Sequence, residues 1–200
     1  MFTLWPTPVA AKVAALLLRE SHMSPYYLAS THYHRITQYV VVATLLLLVS
    51  AVLRADALPT APNFKLPIIA NGEGSLELSD MRGKVVYVDF WASWCGPCRR
   101  SLPALDALYR ELAPQGFHAI AISIDVVEED ALDFLTRYTV TYPVVIDTES
   151  EVPTQFGVEG MPSGYLIDTE GRVREVHVGF KTGDEVALRN QVLALLAENN

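Results

Sequence analysis

Hydrophobic positions follow two regimes along this chain. From Val40 to Leu53 runs VVVATLLLLVSAVL, fourteen residues without a charge. Beyond residue 58 the apolar stretches are shorter and recur between polar turns. KVVYVDFW (84–91) is β-branched and almost wholly apolar, as suits a strand covered on both faces. FHAIAISI (117–124) and TYPVVIDT (141–148) predict two more central strands. FKLPII (64–69) and SLEL (75–78) predict short extended runs about the turn ANGEG, and Pro67 places the first on a sheet edge. Leu102, Leu105, Leu108 and Leu112 mark one face of a helix that ends near Pro114 and Gly116. Pro97 suits the first position of that helix, where no N–H is needed, and Pro103 inside it should kink it. Asp125 begins D-V-V-E, a capping-box pattern, ahead of Ala131, Leu132, Leu135 and Tyr138 at helical spacing. A short helix over Val152–Phe156 should stop at Gly157. Residues 163–180 predict a hairpin turning at Thr169-Glu170-Gly171, and residues 183–197 an amphipathic closing helix. Strands alternating with helices, then a hairpin, predict an α/β fold with a mixed central sheet flanked by helices.

The first 57 residues belong to a different regime. Arg35 precedes the apolar run at 40–53, with His32 and His34 nearby, and Arg54-Ala55-Asp56-Ala57 follows it. A short apolar core with a basic flank and a small-x-small end predicts a signal peptide cleaved after Ala57. Fourteen helical residues rise ~21 Å, short of a ~30 Å hydrocarbon core. An uncleaved anchor stretched from Ile36 is the competing reading, and a buried core helix the third. Thirty-nine residues before the apolar core make a long start, and Met23 would be a more ordinary beginning than Met1. Residues 58–200 form the predicted folded domain.

Charge narrows the partners. The whole chain carries a net −8. Residues 1–57 hold four basic and two acidic groups, leaving eleven against twenty-one, a net of −10, for the rest. With no basic stripe, nucleic acid is not expected as a partner. The acidic excess keeps the domain soluble, and a monomer is expected.

The chemistry concentrates in FWASWCGPCRRSLPAL (90–105), which holds both cysteines of the chain, Cys95 and Cys98. A disulfide across so short a loop is a poor structural staple. Zinc wants four ligands, and no second pair of cysteines exists; His118 and His177 each stand alone in an apolar strand. Two thiolates, with Met161 as a third soft ligand, could carry Cu(I). Reversible dithiol chemistry fits the local physics better. Cys95 should be exposed in a loop at the positive end of a helix, whose free N–H groups stabilise a thiolate. Cys98, one turn on and less exposed, could then resolve a mixed disulfide. Trp94 would form an apolar lip, and Arg99 and Arg100 add positive potential. No cofactor is expected.

VDFWASWCGPC resembles the active-site segment of the thioredoxin superfamily nearly residue for residue. The N-terminal β extension at 64–78, the strand and helix inserted between Ile124 and Tyr142, and the export signal resemble the TlpA/ResA/DsbE-like branch. The resemblance spans residues 60–198 and implies an exported or tethered thiol–disulfide oxidoreductase acting on protein disulfides and fed by a membrane thiol donor. It implies a Cys95–Cys98 disulfide in the oxidised form, with Gly96-Pro97 between the cysteines. Asp89, six residues before Cys95, matches a buried acid that could relay a proton to or from Cys98. Met161-Pro162 matches the segment carrying a cis-proline that faces the cysteines, where the backbone of Met161 could hold a substrate chain as an added strand. One departure stands out: many members carry a glutamate three residues after the second cysteine, and this chain has Ser101. That departure puts a narrow assignment such as apocytochrome reduction in doubt.

Overall fold

The computed structural model describes residues 37–45 and 58–198. The chain divides into two units, Met1–Ala57 and Leu58–Asn200. In the first, residues 37–45 are helical and exposed. Among the described residues no helix is long and apolar enough to cross a membrane. The cleavage point expected after Ala57, and the apolar run beyond Leu45, lie outside the described residues.

The second unit is a seven-stranded mixed sheet. Its elements are β1 (Lys65–Ala70), β2 (Ser75–Glu77), β3 (Val85–Trp91), α1 (Cys98–Leu112), β4 (Phe117–Ser123), α2 (Glu128–Arg137), β5 (Val144–Ile146), α3 (Glu151–Phe156), β6 (Ser163–Ile167), β7 (Val173–Val178) and α4 (Asp184–Glu198). The sheet order is β2-β1-β5-β4-β3-β6-β7. β3, β4 and β5 run parallel, and the pairs β1–β2, β1–β5, β3–β6 and β6–β7 are antiparallel. The antiparallel pairs flank the parallel core as the sequence pattern implied.

β3 is the spine. All seven of its residues are buried, and alternation sends them to two faces. Val85, Tyr87 and Trp91 join the cluster built with Cys98, Leu102 and Leu105 of α1 and Leu188 and Val192 of α4. Val86, Val88 and Phe90 join the opposite cluster, with Phe156 and Tyr165. Rings of Phe90, Phe156 and Tyr165 meet edge to face, their centroids 5.0–5.7 Å apart. Each fully buried leucine or phenylalanine contributes roughly 1.5–3 kcal/mol by leaving water, so these two layers hold β3 rigidly at its C-terminal end. The segment 59–61, ahead of β1, is stitched to the β6–β7 hairpin by Ala61 N–H to Gly171 O at 2.9 Å and Val173 N–H to Pro59 O at 2.8 Å.

Four local expectations change. β1 is not an edge strand but lies between β2 and β5; Pro67 pairs with Ser75 of β2, and the pairs with β5 involve Ile68 and Ala70. Val127, not Asp125, precedes the first residue of α2, and no side chain caps that helix; Asp125 is drawn elsewhere, as described below. Leu132 is 37% exposed, and Phe134 takes the buried place beside Ala131 and Leu135. α1 begins at Cys98 with Pro97 as its N-cap, one residue later than expected, and continues through Pro103 to Leu112.

Candidate active site

The loop from Ala92 to Pro97 joins the end of β3 to the start of α1. Cys95 N–H bonds Ala92 O at 3.0 Å, closing a tight turn. Pro97 already has helical angles, φ −63° and ψ −27°, and offers no side-chain cap. The cap is supplied by sulfur instead: the N–H of Cys98 donates to Cys95 Sγ at 3.2 Å. Cys95 and Cys98 form a disulfide with their Cα atoms 5.4 Å apart. Cys98 is fully buried, and Cys95 is only 4% exposed rather than open in the loop. The reason is that its sulfur folds back over the first turn of α1 to reach Cys98. Beside it Trp94 stands 66% exposed, and Gly96, Pro97, Arg99 and Arg100 also face solvent.

A buried carboxylate pins this loop from below. Asp125 accepts from Ser93 N–H at 2.9 Å, from Ser93 Oγ at 2.7 Å and from Ser123 Oγ at 2.8 Å. It is 3% exposed. These bonds tie the residue next to Trp94 to the end of β4, so the loop inherits the rigidity of the sheet. Sequence reasoning missed this role, because D-V-V-E before a helical pattern points to a cap. Ser93, two residues before Cys95, was the available signal.

Asp89 lies mid-strand, 2% exposed, on the face of β3 that carries Tyr87 and Trp91. Burial pushes its carboxyl up to about 8, because the charged form loses hydration without an ion-pair partner. Its Oδ2 and the Oγ of Ser101 are buried and have no hydrogen-bond partner among the described residues. Both residues line a small cavity of about 20 Å³ with Tyr87, Leu105, Pro162 and Gly164. Ser101 is one turn after Cys98 on the buried side of α1. A glutamate there would have brought a second carboxylate to the same cavity.

Met161–Pro162 is a cis peptide bond. Pro162 is buried and Met161 half-buried; Met161 packs against the cluster that includes both cysteines. The β3–β6 ladder ends at Phe90–Ser163 and the β6–β7 ladder at Ser163–Val178, so the backbone of Met161 lies beyond both. Pro162 O accepts from Gly179 N–H at 2.8 Å, which fixes the segment from behind. The structure thus places Cys95, Cys98, Met161 and Pro162 beyond the C-terminal end of β3 and the N-terminal end of β6, with Trp94 at the rim and Asp89 inside β3, on a cavity that Pro162 also lines. Among the described residues no three His, Cys, Asp or Glu side chains are grouped to hold a metal ion. His177 is occupied between the sheet and α4, 3.3 Å from the Tyr87 hydroxyl and 3.0 Å from Gln191 Oε1.

Known proteins resemble this chain in sequence and fold. The Redoxin family pattern matches residues 57–193. The thiol-disulfide oxidoreductase ResA of Geobacillus thermodenitrificans is 34% identical over 127 residues, covering 64% of this chain and 72% of the relative. ResA of Bacillus subtilis is 36% identical over 122 residues, covering 61% and 67%. A Chlorobium tepidum chain assigned as the thiol:disulfide interchange protein DsbE superposes with a TM-score of 0.67 at 42% identity, covering 70% of this chain and 98% of that one. The chain therefore belongs to the Redoxin family, in the TlpA/ResA/DsbE-like branch of the thioredoxin superfamily, and is a thiol–disulfide oxidoreductase.

Proposed function

We propose that this oxidoreductase is an exported reductant of protein disulfides. The observation that carries the reading is the bond from the Cys98 N–H to Cys95 Sγ at 3.2 Å, made across a Gly96-Pro97 dipeptide with no ionisable side chain. The helix N–H and dipole make Cys95 the attacking thiolate. No cation between the cysteines over-stabilises that thiolate, which keeps the dithiol willing to give up electrons.

In this reading Cys95 attacks a substrate disulfide and forms a mixed disulfide. Cys98 then attacks Cys95 Sγ, the substrate thiol leaves, and the Cys95–Cys98 bond closes. In its ionised form Asp89 takes the proton that Cys98 must lose. The exposed backbone of Met161, the cis Pro162, Gly96-Pro97 and the ring of Trp94 hold the substrate as an extended strand beside the cysteines. Residues 36–53 export the domain or tether it outside the membrane, where a membrane thiol carrier returns it to the dithiol state. The names of the ResA and DsbE relatives support thiol exchange of this kind. Metal-site assembly proteins and other misoxidised exported proteins are substrates of the right class, and Ser101 speaks against a restriction to apocytochromes.

Equilibration of the pure domain with dithiothreitol and glutathione redox buffers tests the direction. A potential near that of thioredoxin, about −270 mV, is expected, and one near −120 mV would make the chain an oxidant instead.

A further inference from the structure

Asp89, Gly164 and His177 stand in one row across three strands. Asp89 pairs with Gly164 between β3 and β6, and Gly164 pairs with His177 between β6 and β7. Side chains in such a row emerge on the same face, and its two ends lie about 10 Å apart, two strand spacings. Tyr87, two residues before Asp89, emerges on that face as well. Gly164 puts no side chain into the row, and the Tyr87 hydroxyl fills its place: a Cβ at 164 would run into the oxygen and ring of Tyr87. The Tyr87 oxygen therefore stands between the carboxyl of Asp89 and the imidazole of His177.

The hydrogen-bond directions along this row follow from the tautomer of His177. His177 Nε2 is 3.0 Å from Gln191 Oε1. A carbonyl oxygen only accepts, so the neutral tautomer that suits this contact carries its hydrogen on Nε2 and leaves Nδ1 bare. The Tyr87 O–H, 3.3 Å from Nδ1, is then the donor, and its lone pairs are left for the opposite side. On that side lies the cavity of about 20 Å³ bounded by Tyr87, Asp89 and Ser101. It has room for one water, and three polar side chains, two of them with an unpartnered buried oxygen, supply the bonds such a water needs. On the far side Tyr87 and His177 line a larger cavity of about 250 Å³ with Val176, Phe180 and Asp184, and His177 is partly exposed.

We propose that this row is the route by which the proton of the thiol exchange passes between Asp89 and solvent: from Asp89 to a water held by Ser101, then through the Tyr87 hydroxyl to His177. When Cys98 closes the disulfide, its S–H proton goes to the Asp89 carboxylate. Its sulfur bonds Cys95 Sγ as the Cys95–substrate bond breaks, and the leaving thiolate takes a proton from water. The two cysteines are oxidised and the substrate disulfide is reduced. Asp89 then gives its proton to the water, the water gives one to the Tyr87 oxygen, Tyr87 passes its own to Nδ1, and His177 releases the Nε2 proton. One proton moves outward and no electrons move. The direction reverses when a donor reduces the disulfide. Other ionisable groups near the row are Tyr142, which feels the charges of Asp89 and Asp106, and Asp184 of α4. Burial, then the charges of Asp89 and Asp184, hold the Tyr87 hydroxyl well above its ordinary value, so it stays a neutral relay. Ser101 acts as a positioning residue.

The route rests on the thiol exchange of the reading above but not on its direction. The test is steady-state reduction of insulin driven by dithiothreitol, with Tyr87→Phe and His177→Ala beside the wild type. Both variants should lose about tenfold in kcat with KM for insulin unchanged, and added imidazole should restore His177→Ala but not Tyr87→Phe. A kcat for Tyr87→Phe within twofold of wild type overturns the route, as does a His177→Ala loss that imidazole leaves in place. Should His177→Ala fail to fold, Tyr87→Phe decides alone, since its ring packing is kept. A wild type that does not turn over at all would instead refute the reductase reading.

Discussion

The N–H of Cys98 points at the sulfur of Cys95 across 3.2 Å. This relationship makes the two cysteines unequal. Cys95 is the sulfur at the helix tip, and Cys98, fully buried, is the one behind it. Cys95→Ser is expected to abolish insulin reduction. Cys98→Ser should stop after the first attack and accumulate a covalent adduct with its substrate, visible on a non-reducing gel and released by dithiothreitol. Full activity in either variant contradicts the assignment.

Asp89 couples this site to stability. Its folded-state value is about 8 against an ordinary 3.8. Between those values the native state holds a proton that the unfolded chain has lost, so the contribution of Asp89 is fully present below about pH 4 and is lost as pH rises through about 8. Four units at ~1.4 kcal/mol each make this a loss of order 5 kcal/mol. Asp89→Asn, which cannot ionise, should therefore gain stability over wild type as pH goes from about 5 to about 9 in urea unfolding. Parallel stability curves would show that Asp89 does not titrate in this window.

How much of this was legible in the sequence depends on whether the determining contact is local. W-C-G-P-C after KVVYVDFW is a strand, a turn and a helix start in one short segment, and the structure follows it closely. The buried face of α1 likewise follows from Leu102, Leu105, Leu108 and Leu112 alone. Asp125 was misread because its partner Ser93 is 32 residues away, and a local rule for helix caps competed for the same residue. The near-burial of Cys95 was missed because the sulfur turns inward to meet Cys98, a choice of rotamer that residue types do not encode. The row of Asp89, Gly164 and His177 depends on two strand registers at once, and no single stretch of sequence carries it.

The loop anchor makes a separate prediction. Asp125→Ala strands the Ser93 N–H and two hydroxyl groups in a buried site, which costs roughly 2–4 kcal/mol. Asp125→Asn keeps part of the acceptor capacity and should cost less. Denaturant unfolding gives both values. Since the anchored loop carries Trp94 and Cys95, turnover measured well below the melting temperature should also fall in Asp125→Ala. Stability equal to wild type would remove the anchor from the account.

Trp94 is expected to act on substrate and not on folding. With two-thirds of its surface exposed (66%), Trp94→Ala should shift stability by less than about 0.5 kcal/mol. It should raise KM for insulin about three- to tenfold, as loss of an aromatic contact surface does, while the rate with hydroxyethyl disulfide stays unchanged. An equal loss on both substrates would place the ring in the chemistry and not in docking.

Ser101→Glu tests the cavity behind the cysteines. Two carboxylates sharing a site this small cannot both ionise easily, so one should titrate well above the other. The pH profile of turnover is expected to gain a second inflection and the protein to lose stability at alkaline pH. A profile identical to wild type would mean that residue 101 and Asp89 do not share one electrostatic environment.

The most direct measurement is the pH dependence of iodoacetamide alkylation of Cys95 in the fully reduced protein. The helix N–H and dipole predict a midpoint at least one unit below the ~8.5 of a free cysteine. A midpoint at or above ~8.5 would mean that the tip of α1 does not activate this sulfur, and the proposed mechanism would fail with it.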